Sequence, residues 1–219
     1  MPTKTFSGLS KIKQDMIFNV ALKEFSEKGY TLASTNSICK MAGISKGSIF
    51  QYFETKDDMF FFVIRRALAE IIYSYKKNYQ IEVEKMTLKE IFIKSCFQLI
   101  EFYEKYPFHY RLYMRINYEV DMPNYKEVRR YIARYVTAVT HRFIDVGRKR
   151  GLLREDLSSE LVLFFINNFL SRFVEICFVP GVKPMFNVSG FNTEDRVNIL
   201  EEIFSFLMDG MKKNLLELV

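Results

Sequence analysis

S-T-N-S-I-C-K-M-A-G-I-S-K-G-S-I-F-Q-Y-F, running from Ser34 to Phe53, is the stretch on which the fold turns. It holds two short helical patterns around a tight turn. Ser34 is placed to cap the first by accepting from a free backbone N–H. Ile38 and Met41 recur at helical spacing and are expected to face inward. Gly43 tolerates the left-handed conformation that ends a helix, and Ser45 restarts the chain as the next N-cap. Helix, glycine turn and helix make a helix-turn-helix. On the second helix, at about 100° per residue, Ile49 and Phe53 fall together and must face a core. Gln51 then points almost directly away, with Gly47 and Ser48 on its flank and Phe50 and Tyr52 on the shoulders. A helix of about seven residues is not stable alone in water, so a scaffold holds this face out for contact. Gln can bond adenine bidentately in the major groove, and Ser suits base or phosphate. Lys46 sits in the first turn, where a cation opposes the helix dipole; a nearby phosphate would remove that objection.

The longer run A-G-I-S-K-G-S-I-F-Q-Y-F-E-T-K-D-D-M-F, Ala42 to Phe60, resembles the TetR family of bacterial transcriptional regulators. The family pattern is Ala-Gly-Val-Ser-Lys-Gly-Thr-Leu-Tyr-x-Tyr-Phe-x-x-Lys, then an acidic pair and an apolar residue, and the match has no gap. The resemblance implies that Ser45, Lys46, Gly47, Ser48, Phe50, Gln51, Tyr52 and Lys56 fall where family members touch DNA. Ser34 and Thr35 match the start of the supporting helix. Phe50 replaces the commoner Tyr and loses a hydroxyl that could reach phosphate; Thr35 replaces an apolar residue and Cys39 an Ala. Upstream, A-L-K-E-F-S-E-K-G-Y resembles the family's first helix, which packs across the other two.

Charge agrees with a polyanionic partner. Residues 1–56 carry eight lysines against Asp15, Glu24, Glu27 and Glu54, so most of the chain's net +6 lies in its first quarter, as phosphate binding requires. With 219 residues, 49% apolar and 26% charged, the chain has the composition of an ordinary globular protein of one or two domains. Cys39, Cys96 and Cys177 have no metal-ligand spacing and read as reduced thiols. His109 and His141 form no cluster, and no phosphate-binding glycine loop occurs, so neither cofactor, metal nor enzymatic constellation is expected. The longest apolar runs fall far short of the roughly 18 residues of a membrane span, and the N-terminus lacks a signal-peptide stretch. The cytoplasm is the expected compartment.

Every element past residue 10 reads as helix, about nine in all. Residues 1–9 read as a loose arm. Ser10 starts a helix whose inward row is Ile12, Met16, Val20 and Phe25, and Gly29 stops it. Thr55 opens a long helix reaching about Tyr79, with Asp57 and Asp58 suited to its positive end; Lys56 beside them suits a phosphate. No flexible linker follows. The expected fold is therefore all-α: a helix-turn-helix DNA-binding domain over 1–55, and a helical effector-binding and dimerisation domain over 56–219. Thr87 starts the next helix and Pro107 stops it. A short aromatic segment, a helix from Val128 to Val146, a loop at 180–190 and a last helix capped by Asn192 or Thr193 and reaching Leu215 complete the chain. Arg148, Lys149 and Arg150 read as cations favouring a helix C-terminus rather than as a DNA patch.

Two long apolar helices at the end need partners, and a self-complementary pair makes a four-helix bundle across a two-fold axis. The resemblance puts a dimer interface there as well; Phe204, Leu207 and Met211 are its candidates. The aromatics Phe92, Phe102, Tyr103, Tyr110, Tyr113, Tyr118 and Phe165 either line a cavity for an apolar ligand or pack as plain core. Asn168, Arg172 and Glu175 share a face in an otherwise apolar helix; Arg172 and Glu175 satisfy each other at i, i+3, lie at a dimer interface, or meet a ligand's polar group. The leading reading is a homodimeric regulator, a repressor that binds a palindromic double-stranded operator and is released by a small apolar or aromatic effector. The competing readings are a ligand-independent architectural DNA-binding dimer and a helical small-molecule or lipid carrier. A tightly packed middle region favours the former, and the carrier leaves the outward face around Gln51 unexplained.

Overall fold

The computed structural model describes residues 1–78, 85–136, 138–178 and 193–211. Among them are eleven helical segments and no strand: α1 (Lys4–Ser7), α2 (Lys11–Leu32), α3 (Thr35–Met41), α4 (Lys46–Tyr52), α5 (Lys56–Asn78), α6 (Leu88–Lys105), α7 (Pro107–Tyr118), α8 (Tyr125–Val136), α9 (Ala138–Lys149), α10 (Ser159–Phe178) and α11 (Thr193–Met211). Two exceed the expected number. The helix α1 replaces the loose arm, and the helix expected through Val128–Val146 is described as α8 and α9 on either side of residue 137. The loop at 180–190, the cap at Asn192 and the position of Leu215 lie outside the described residues. The chain forms two units, Met1–Gln80 with Tyr106–Ala133, and Ile81–Lys105 with Arg134–Val219.

In the first unit α2 packs against α3, α5 and α7. Ser10 caps it, the hydroxyl accepting from the Lys13 N–H at 3.4 Å. Its buried row is Ile17, Phe18, Ala21, Leu22 and Phe25, not the one expected. Ile12 is 84% exposed and Met16 also faces out. Adjacent residues differ by about 100° around a helix, so two rows that share Phe25 diverge at their other end.

The regular turns of α2 stop at Gly29, which has φ +74°, a conformation open to glycine without steric cost. Glu119, just past α7, uses that space. Its carboxylate accepts from the N–H groups of Tyr30 at 2.8 Å and Thr31 at 2.7 Å, and a Cβ at position 29 would stand 2.4 Å from Oε2. Arg115 of α7 donates to the Glu27 carbonyl at 2.6 Å. Near the start of α7, buried His109 meets Glu70 of α5 at 3.0 Å, and Glu70 accepts from Arg66 Nε at 3.0 Å. Arg66 also pairs with Asp15 and lies 4.1 Å over the Phe18 ring. Burial pushes the His109 imidazole below its ordinary range, against the opposing pull of Glu70. Helix α7 is thus tied to α2 and α5 by polar contacts at both ends.

In the second unit α6 packs against α9, α10 and α11. A capping box starts it: the Thr87 N–H donates to Glu90 Oε2 at 2.7 Å and the Glu90 N–H to Thr87 Oγ1 at 3.2 Å. Leu88, Ile91, Phe92, Phe143, Ile144, Val162, Ile166 and Leu200 make the core. The basic run closes α9 as expected. Arg148 donates to the carbonyls of Arg154, Glu155 and Leu157, and Arg150 to that of Met86.

Candidate nucleic-acid interface

The helix-turn-helix is assembled by caps on one side and a carboxylate on the other. Ser34 caps α3, its hydroxyl accepting from the Ser37 N–H at 3.4 Å. Glu24 of α2, only 2% exposed, reinforces that start. Its Oε1 accepts from the Ser34 N–H at 2.9 Å and from the Lys28 ammonium at 2.8 Å, and its Oε2 from the Ser37 hydroxyl at 3.1 Å. Burial alone would raise this carboxyl, but the donors outweigh it and hold it below the usual carboxylate range. At the other end, Gly43 has φ +61°, and the Ile44 N–H donates to the Cys39 carbonyl at 3.0 Å. Met41 was expected inward and is exposed; Ile38, Cys39 and Ala42 fill the buried side. Ser45 then caps α4, accepting from the Ser48 N–H at 3.1 Å.

Ile49, Tyr52 and Phe53 are buried beneath α4. Tyr52, placed on the outward shoulder by sequence reasoning, is 6% exposed. The reason is α1: Phe6 stands edge-on to the Tyr52 ring at 6.0 Å and packs on Phe53 and Phe62 at 4.9 and 5.0 Å. Thr3 completes the arrangement. Its N–H donates to the Tyr52 carbonyl at 3.0 Å and its hydroxyl to the Gln51 carbonyl at 2.6 Å, satisfying acceptors that a helix end leaves free. The open face of α4 is therefore Lys46, Gly47, Phe50 and Gln51, all exposed. Ser48 is half-buried, its hydroxyl 2.8 Å from Ser45 Oγ. Ser34 and Thr35 are half-buried at the start of α3.

Lys56 was read as a cation awaiting a phosphate. Its ammonium already donates to the Thr31 carbonyl at 3.3 Å and lies 4.7 Å over the Tyr30 ring. The Tyr30 hydroxyl in turn donates to Asp57; burial, then Asp57, pushes that phenol up to about 12. At the N-terminus of α5, Thr55 and Asp58 cap as expected, the Asp58 N–H donating to Thr55 Oγ1 at 3.1 Å.

The structure separates the aromatic set. Tyr110 and Tyr113 belong to the first unit, with ring centroids 6.2 Å apart, and Tyr118 there is exposed. Phe102 and Tyr103 are half-buried late in α6. In the second unit, Phe92, Ser95, Thr140, Phe143, Ile166 and Leu170 line a cavity of about 10 Å³, room for about one water. Phe92 is the single candidate pocket residue on it. Phe165 and Asn168 face outward on α10; the inward amide is Asn167, which accepts from the Thr140 hydroxyl at 2.5 Å. Arg172, largely exposed, pairs with Glu175 one turn along. The candidate interface residues also turn inward: Met211 is buried, Phe204 packs on Phe92 at 5.6 Å, and Leu207 joins the same core. Leu161, Phe164 and Phe165 of α10 and Phe206 of α11, the last 80% exposed, face out instead. On α11, Phe206 lies about 200° from Phe204, so the two cannot share a face.

No helix among the described residues is long and apolar enough to cross a membrane, and no group of His, Cys, Asp and Glu among them could hold a metal. Residues 17–62 match the family described as bacterial regulatory proteins, tetR family. The uncharacterized HTH-type transcriptional regulator YhgD of Bacillus subtilis is 22% identical over 142 residues, covering 65% of this chain and 72% of that protein. A TetR family transcriptional regulator from Chloroflexus aurantiacus has the same fold: TM-score 0.73, 24% identity, 98% of this chain and all of that one covered. FadR from Bacillus subtilis, solved in complex with stearoyl-CoA, superposes with a TM-score of 0.62 at 19% identity, over 90% of this chain and 98% of that one. These relatives are all described as transcriptional regulators.

Proposed function

We propose that this chain, which belongs to the TetR family of bacterial regulatory proteins, is a cytoplasmic, homodimeric repressor that reads a palindromic DNA operator through α4 and is released by a small, largely apolar ligand. One observation carries the reading. A seven-residue helix is capped at Ser45, closed by Thr3 and packed from below by Ile49, Tyr52 and Phe53, while Lys46, Gly47, Phe50 and Gln51 stay open. Dimerisation supplies a second copy about one helical turn of DNA away, or a multiple of it, as a palindrome requires. On this reading residues 1–55 carry the DNA contacts, and 56–219 carry the effector and dimer functions. Ser34, Thr35, Ser45 and Lys46 position the protein on phosphates, and Gln51 bonds a base.

The test is enrichment of duplexes from a random pool, followed by titration of Gln51→Ala. Loss of a base contact should cost about 1–3 kcal/mol on the enriched site and relax one position. An equal loss on random DNA contradicts base reading by Gln51.

The effector on this reading is a small, largely apolar or aromatic molecule; that FadR, a neighbour in fold, was solved with stearoyl-CoA supports an apolar group as the part recognised. The cavity lined by Phe92, Ser95, Thr140, Phe143, Ile166 and Leu170, about 10 Å³, admits no such molecule as it stands, so binding at that place selects a wider form of α6, α9 and α10. Close packing at that one place is the observation on the side of the architectural, ligand-independent reading, which stands as the alternative. A thermal-shift hit that also lowers operator affinity by about 5- to 150-fold supports release; hits that leave operator affinity untouched support the alternative.

A further inference from the structure

We infer that Phe50 reads the C5-methyl group of a thymine in the major groove, beside the base taken by Gln51; the inference rests on the DNA-binding reading. Sequence geometry alone points to Ser48 as the partner of Gln51. The Ser48 hydroxyl, however, is engaged with Ser45 and half withdrawn from the surface. Burial of Tyr52 moves the centre of the open face the other way, toward Phe50. The Phe50 ring is 57% exposed, and no ring or cation contact engages it among the described residues.

The neighbours of Phe50 explain how such a ring could reach a groove. Lys46 lies one turn earlier on the same side, and Gly47 beside it is open: a Cβ there would meet only Ser45 Oγ, at 3.8 Å. With no side chain at position 47, that turn can approach DNA closely, a Lys46–phosphate contact can hold it, and the next turn then carries Phe50 and Gln51 inward together. Exposed cations at Lys40 and Lys46 complement a polyanion and disfavour a second copy of this surface as the occupant. An aromatic hydrocarbon offers neither donor nor acceptor. Of the groups along the major-groove edge, the thymine methyl is the one it matches; over A, G or C it would cover polar atoms without bonding them.

The experiment uses the full chain and the duplex it enriches from a random pool. Each thymine is replaced in turn by deoxyuridine, which removes the methyl group alone. One thymine per half-site should prove sensitive, with affinity falling about fourfold for each methyl lost. Phe50→Ala should bind the thymine duplex more weakly than the unaltered protein and should no longer distinguish thymine from uracil. Indifference to uracil at every position overturns the inference, as does undiminished uracil sensitivity in Phe50→Ala. The uracil series uses unaltered protein, so folding of the variant does not enter it. Failure of the underlying reading looks different: no duplex is enriched over random DNA. A Gln51→Ala effect alongside a silent uracil series would keep the DNA reading and remove the Phe50 assignment alone.

Discussion

Glu24 is a charged residue on a row otherwise filled by Ile17, Ala21 and Phe25, and it holds the first turn of α3 through Ser34 and Ser37. Glu24→Gln keeps the shape but loses the charge, and should destabilise the folded chain by about 1.5–3 kcal/mol at pH 7, the range for bonds to a charged group. The sign with pH follows from the lowered carboxyl. Above its ordinary, unfolded value the native state gains from the ionised form; as pH falls through the lowered folded value, that gain disappears. Wild type and Glu24→Gln should therefore differ most at neutral pH and converge in acid, as read by urea melts at several pH values. A carboxylate on an apolar row was the signal available in the sequence. What it could not supply was the partner, since Ser34 N–H and Glu24 meet only once α2 and α3 have packed. Gln51, by contrast, was legible from helical geometry, because its direction depends only on the residues of its own helix.

Within one element, caps and turns were readable and faces only partly so. Ser10, Ser34, Ser45, Thr55, Gly29 and Gly43 act where local chemistry puts them, because a cap bonds to residues two or three positions away. Met41, Tyr52, Ile12 and Met16 were misplaced because a neighbouring helix decides which of two adjacent rows is covered; for Tyr52 that neighbour is α1. Helix α4 lends itself to a separation of roles. Ser45→Ala removes its N-cap and should cost about 0.5–2 kcal/mol of stability. Ser45→Asp retains the cap, so its thermal midpoint should stay near wild type, yet a carboxylate next to phosphate should weaken binding to all DNA sequences alike. Calorimetry and filter binding on the two variants check this; an Asp variant with undiminished DNA affinity removes Ser45 from the interface.

Across the whole molecule, the all-α architecture was legible and the docking of helices was not. Nothing in the sequence of α7 says that it lies on α2, or that Tyr110 and Tyr113 belong to the first unit and Phe92 to the second. The apolar stripes of α10 and α11 were recognised, but Phe204, Leu207 and Met211 are used for the chain's own core, leaving Leu161, Phe164, Phe165 and Phe206 outside. If these exposed residues join two copies, Phe165→Glu and Phe206→Glu should yield folded monomers by light scattering and circular dichroism. Leu207→Glu should instead damage the fold. Persisting dimers in both surface variants contradict an interface through these residues. The junction at Gly29 has a consequence of another kind. The amide hydrogens of Tyr30 and Thr31 are held by Glu119 rather than by their own helix, so solvent deuterium replaces them when the Glu119 carboxylate swings off or α7 lifts away from α2. Two protons thus become a stopwatch for that opening, readable by exchange mass spectrometry on a peptide spanning them, with neither operator nor ligand in the tube.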